Sequence, residues 1–144
     1  MKIITISGAS GSGKTTLAHY IHNSIANSLF LSIDDPASLD LPLLKKHLSE
    51  LKSNGSANVP IYDFTISARA GYEEIHSDGL IIIDGLFAGS LLKDISDLDI
   101  FVDVDLDLAL LRRIDRDMKE RDRTLDSVTE QYMRDVRPAF FKHI

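Results

Sequence analysis

A chain of 144 residues can fold as one domain with a real core but not comfortably as two, and its net charge of −6 argues against a general nucleic-acid binder, though not against a local basic patch for a phosphorylated ligand. It has no cysteine, so disulfides and thiolate metal sites are excluded and the reducing cytoplasm is the expected compartment. The apolar run at its start is shorter than a signal-peptide core, and no later stretch approaches a membrane span, so a soluble, intracellular protein is expected.

The first predicted strand, residues 2–7, is apolar almost throughout and runs into a glycine loop. Gly8, Ala9, Ser10, Gly11, Ser12, Gly13, Lys14, Thr15 and Thr16 carry the pattern Gly-x-x-x-x-Gly-Lys-Thr. A helix is predicted over 14–27, with Leu17, Ala18, Ile21 and Ile25 on one face. That strand–loop–helix context is the one this pattern needs to hold a nucleoside triphosphate, ATP or GTP. Glycines let the backbone wrap phosphate oxygens, and amides at the helix start point at the anion. Lys14 reaches the terminal phosphates, and the Thr15 hydroxyl is a Mg²⁺ ligand.

A second strand, 29–33, leads into Asp34 and Asp35. Either acid suits a general base that takes the proton of an acceptor hydroxyl, while Asp-Asp-Pro reads equally well as turn chemistry. A helix over 42–53 follows, with Leu44, Leu48 and Leu51 on one face, and then a polar turn over 53–57. The third strand, 79–84, ends in Asp84, the expected second Mg²⁺ group. The fourth is 99–104. Continuously apolar strands alternating with helices predict a parallel sheet covered on both faces, a three-layer α/β/α P-loop NTPase fold with four strands, as one domain over 1–144.

The helix over 107–120 places Arg112, Arg113, Arg116, Arg121 and Arg123 among Asp115, Asp117, Glu120 and Asp122. Mixed charges of this kind usually mean a solvated, ion-paired helix. Phosphoryl transfer, however, needs cations that neutralise the moving group, and Arg113 and Arg116 are the expected catalytic pair. A last helix is predicted over 125–140. His19 and His22 are expected in solvent, and His47 on an exposed, lysine-rich face.

The glycine loop, "VPIYDFTISAR", "IIIDG", "FVDVDLDLALLRRIDRDMKERDR" and "SVTEQYMRDVRPAF", in that order, resemble the uridine kinase / phosphoribulokinase family over most of the chain. The resemblance implies transfer of the terminal phosphate of ATP or GTP to an alcohol, commonly the 5′-hydroxyl of a nucleoside. It also implies that Tyr62 and Asp63 lie beside the acceptor, that Arg69 helps bind it, and that residues 112–123 form a lid. Arg121 and Arg123 of that lid would serve the substrate, and Asp34 matches either the base or a ribose ligand. Nucleic acid and membrane are not implied as partners, and a homo-oligomer is left open.

The chain departs from the family pattern at Ser67, where a histidine reads the pyrimidine, and at Ala109, where an arginine is usual. "LFLSIDDPASLDLPLL" fuses two stretches that the family keeps apart, so about twenty family residues are expected to be missing there. The family continues beyond residue 144 into a fifth strand. Two alternatives stay open: a sister kinase for nicotinamide riboside, pantothenate or another alcohol, and an ATP-binding regulatory switch without phosphotransfer.

Overall fold

Continuous apolar runs become strands whose two faces are both covered. The computed structural model describes residues 1–33, 40–54, 56–62, 69–76 and 79–143. Strand β1, Lys2–Gly8, lies between β5, Leu80–Asp84, and β6, Leu98–Val102; β2, Ser28–Ser32, flanks β5. The order is β2-β5-β1-β6, and every pairing is parallel, as expected.

Successive strand residues face opposite ways, so each strand feeds two cores. Ile3, Leu31, Ile33, Ile81 and Ile83 pack with Leu44, Leu48 and Leu51 of helix α2, Leu41–Asn54. Ala88, from the short helix α3, Ala88–Leu91, closes the same side with Leu92. On the other face Ile6, Phe30 and Ile82 meet Ala18, Leu17 and Ile21 of helix α1, Lys14–Ser24. Ile81, Ile82 and Ile83 are each wholly buried, which is why β5 shows no polar alternation. Truncating any one of them to alanine would cost about 2–5 kcal/mol.

After β6 come helix α4, Leu106–Glu120, helix α5, Leu125–Gln131, a π-helical turn, Tyr132–Val136, and helix α6, Arg137–His143. Thr124 caps α5 by accepting the Ser127 amide at 3.1 Å. Among the described residues, no helix is long and apolar enough to cross a membrane.

Two expectations are corrected. The polar turn over 53–57 is instead the end of α2 at Asn54 and the start of strand β3, Ser56–Tyr62, which pairs antiparallel with β4, Arg69–His76. Pro60, which cannot donate to a ladder, hid this two-stranded sheet, and the register shifts between Pro60 and Tyr62. His47 is buried, not exposed, because α2 turns that side of its lysine-rich stretch inward.

Candidate active site

The carboxyl ends of β1, β2 and β5 meet at the glycine loop. Ile6, Asp84 and Ser32 sit in one row across the three strands. The row continues through the Gly85 amide, which donates to Ile6 O at 3.1 Å, and the Ile33 amide, which donates to Asp84 O at 2.8 Å. This is the edge at which parallel sheets bind ligands.

The loop leaves β1 at Gly8 and enters α1 at Lys14. Gly11 has φ +85°, and a Cβ there would stand 2.1 Å from the carbonyl oxygen of Ala109. Only glycine lets the loop lie so close to α4. No side chain caps α1 at Gly13, and a helix start of this kind is where anions bind. Lys14 is buried at the head of the helix. Next to it, Thr15 Oγ1 donates to Asp84 Oδ2 at 2.5 Å, and Asp84 is 0% exposed. A hydroxyl and a sequestered carboxylate form an oxygen donor pair of the kind that hard divalent cations take.

The opposite wall belongs to α4, whose residues 109, 113 and 117 form an inward row at four-residue spacing. Asp117 is wholly buried and is approached by four guanidinium groups. Arg116 and Arg121 reach its Oδ1 at 3.0 and 3.5 Å, while Arg113 and Arg123 approach Oδ2 at 3.7 Å each. Arg113 also donates to Ser10 Oγ of the glycine loop at 2.7 Å and to Gln131 Oε1 at 3.1 Å. Arg123 donates to the same Gln131 oxygen. Burial pulls the Arg113 pKa below its usual value, opposed by the charge of Asp117. On this face the helix is ion-paired around one buried acid: Arg113 is buried with it, Arg116 and Arg123 are half-buried, and Arg121 stays exposed.

Between the walls lies a cleft of about 1480 Å³, lined by Lys14 and Thr15 on one side and Arg112, Arg113, Arg116 and Arg121 on the other. The structure thus brings together the whole of 8–16, Asp84 and the arginine helix, with Arg123 just behind. Tyr62 and Arg69 are paired partners on the β3–β4 ladder. Asp34, Asp35, Asp63 and Ser67 lie outside the described residues. Ala109, at the other departure from the family pattern, is 1% exposed, with its carbonyl oxygen against Gly11 of the loop. His19 is exposed, as expected, but stacks on Phe30 with centroids 4.5 Å apart. His22 is half-buried, with Nδ1 2.7 Å from Ser28 Oγ.

Asp117 and Gln131 were not among the candidate residues. Asp117 carried a signal, since it stands four residues from both Arg113 and Arg121 and directly after Arg116. Gln131 carried none.

A family model described as the phosphoribulokinase / uridine kinase family matches residues 26–144. A uridine kinase of Lactobacillus helveticus is 35% identical over 169 aligned positions, which take in 99% of this chain and 80% of that protein. A uridine kinase of Borrelia duttonii is 36% identical over 166 positions, with 100% and 81% covered. Among solved structures, a candidate fructose transport system kinase from Silicibacter sp. TM1040 superposes with a TM-score of 0.68 at 16% identity, covering 97% of this chain and 82% of that one. A candidate uridine kinase from Bacillus stearothermophilus gives 0.53 at 17% identity, covering 96% and 84%. These two structures share the fold. The 169 positions aligned with the Lactobacillus protein exceed the 144 residues present here, so at least 25 of its positions have no counterpart in this chain.

Proposed function

Because the chain belongs to the phosphoribulokinase / uridine kinase family, we propose that it transfers the terminal phosphoryl group of ATP or GTP to the hydroxyl of a nucleoside-like acceptor. The observation that carries this reading is the Thr15–Asp84 pair, a loop hydroxyl against a buried carboxylate beside Lys14. The donor set suits Mg²⁺, which when bound supplies charge neutralisation on the terminal phosphates.

The chain's own groups do the rest in this reading. Amides over 8–16 cradle the phosphates, and Lys14 sets its ammonium against the terminal ones. Arg113, Arg116, Arg121 and Arg123 form the cationic wall that offsets charge on the moving group and excludes water. Asp34 or Asp35 takes the acceptor hydroxyl's proton, and Tyr62, Asp63 and Arg69 hold the acceptor. Cytoplasmic placement suits a cysteine-free chain that uses a nucleoside triphosphate.

The test is an acceptor panel with ATP and Mg²⁺, read by ADP release and by the mass of the product. Uridine and cytidine belong in it, as do nicotinamide riboside and pantothenate, since Ser67 departs from the pyrimidine-reading pattern. ADP release that depends on one acceptor class, with a product heavier by one phosphate, is expected. Acceptor-independent hydrolysis across the whole panel would overturn the reading in favour of a nucleotide switch.

A further inference from the structure

We propose that Arg112 is a catalytic residue of the phosphoryl transfer, the cation that meets the transferring group from the side opposite Lys14. This rests on the kinase reading above and assigns within it a role that neither the motif nor the expected pair, Arg113 and Arg116, identified.

The cleft-lining arginines are not equivalent. Arg113 is 7% exposed and held by Ser10 and Gln131. Arg116 is drawn to Asp117 at 3.0 Å, and Arg121 to the same oxygen at 3.5 Å. Moving any of these toward a phosphate weakens the compensation of a carboxylate that is 0% exposed. Arg112 lines the same cleft and is exposed, and among the described residues it forms no hydrogen bond or ion pair. Its guanidinium can turn into the cleft without abandoning an internal partner.

Position adds a second reason. Arg112 lies four residues before Arg116, on the same face of α4, so two like charges stand one turn apart at the cleft. An anion between them relieves that repulsion. In the step itself, the acceptor oxygen forms a bond to the γ-phosphorus while the bond from that phosphorus to the β–γ bridging oxygen breaks. ADP departs with that electron pair, and the hydroxyl proton goes to the acid at 34 or 35. The charge spread over the equatorial oxygens is greatest in mid-transfer, where a fork-shaped donor free to move gives most.

The experiment compares wild-type protein with Arg112→Gln, Arg112→Lys and, as a control on the same helix, Lys119→Gln. Lys119 is an exposed residue paired with Asp115 outside the cleft. Initial rates are measured against ATP and acceptor, with binding of a fluorescent ATP analogue in parallel. Arg112→Gln should lower kcat about 10²-fold, with analogue affinity within a few-fold of wild type. Arg112→Lys should fall between, and Lys119→Gln should match wild type. Active wild type with Arg112→Gln inside twofold of its kcat overturns this assignment and leaves the kinase reading standing. So does a raised KM for ATP at unchanged kcat, which would mark ground-state binding. A wild type that yields no phosphorylated product overturns both.

Discussion

On one wall of the cleft, the glycine loop between β1 and α1 offers backbone amides and a buried lysine. On the other, α4 offers guanidinium groups gathered on one buried carboxylate. The first wall is set by covalent geometry and close packing, since Gly11 lies against the Ala109 carbonyl with no room for a methyl group. The second is set by Coulomb attraction across side chains, with four cations drawn to one anion. In the proposed reaction, a wall of the first kind would hold a polyphosphate in one register. A wall of the second kind is under-compensated and takes up added negative charge, which suits it to a group whose charge is changing.

The contrast can be broken most directly at Lys14. Lys14→Met should reduce kcat by about 10²–10³-fold, because a preorganised cation at the terminal phosphates is lost. Steady-state ADP release with the best acceptor checks it, and full activity would sink the view that the loop wall binds the nucleotide.

Next in size, Asp117→Asn leaves four guanidinium groups without their shared counter-charge. A urea melt should show a loss of about 2–3 kcal/mol, less than for a fully buried pair because Arg116 and Arg121 are partly exposed. An unchanged midpoint would mean that the arginine wall is held by something other than the carboxylate.

Gly11→Ala probes the packed wall. The new methyl meets a backbone oxygen at φ +85°, so the loop must shift, at about 1–2 kcal/mol of strain. Thermal melts and ATP-analogue titration should both move, with the titration expected to show the larger change. An alanine variant that melts and binds as wild type does would refute close packing as the device.

The smallest effect serves as a control remote from both walls. Asp97 accepts from Lys52 Nζ at 2.9 Å and from the Ile3 amide at 2.8 Å, and these contacts, Lys52 foremost, hold its pKa below the usual carboxylate value. A depressed folded pKa adds stability above the unfolded value, about 4, that disappears as pH falls through the folded one. Asp97→Asn should therefore flatten the acid limb of the stability curve slightly below about pH 4, with ADP release at neutral pH unaltered. A changed acid limb together with lost activity would show that the two ends of β1 are coupled.

Four strands were legible because their apolar runs are unbroken, and unbroken runs belong to parallel strands buried on two faces. The glycine loop was legible because its chemistry is carried by consecutive residues. The β3–β4 ladder was not, since Pro60 reads as a break in any single strand. Nor was the burial of His47, whose neighbours Lys45 and Lys46 suggested solvent. Asp117 looked like one of several interleaved acids, and only its four-residue spacing from Arg113 and Arg121 set it apart from Asp115, which is exposed and pairs with Lys119.

Periodicity and the glycine pattern, both properties of neighbouring residues, were enough to specify a covered parallel sheet and a glycine loop leading from its first strand into a helix. Tertiary structure alone decided the strand order β2-β5-β1-β6, which sets Asp84 against Thr15 across 69 residues of chain. It also decided which acid of α4 was drawn inside, and so which of the cleft arginines are held by partners among the described residues and which is not. The reason is physical: backbone preference and amphipathic spacing act over a few residues, whereas burial and charge compensation depend on what the completed fold brings alongside.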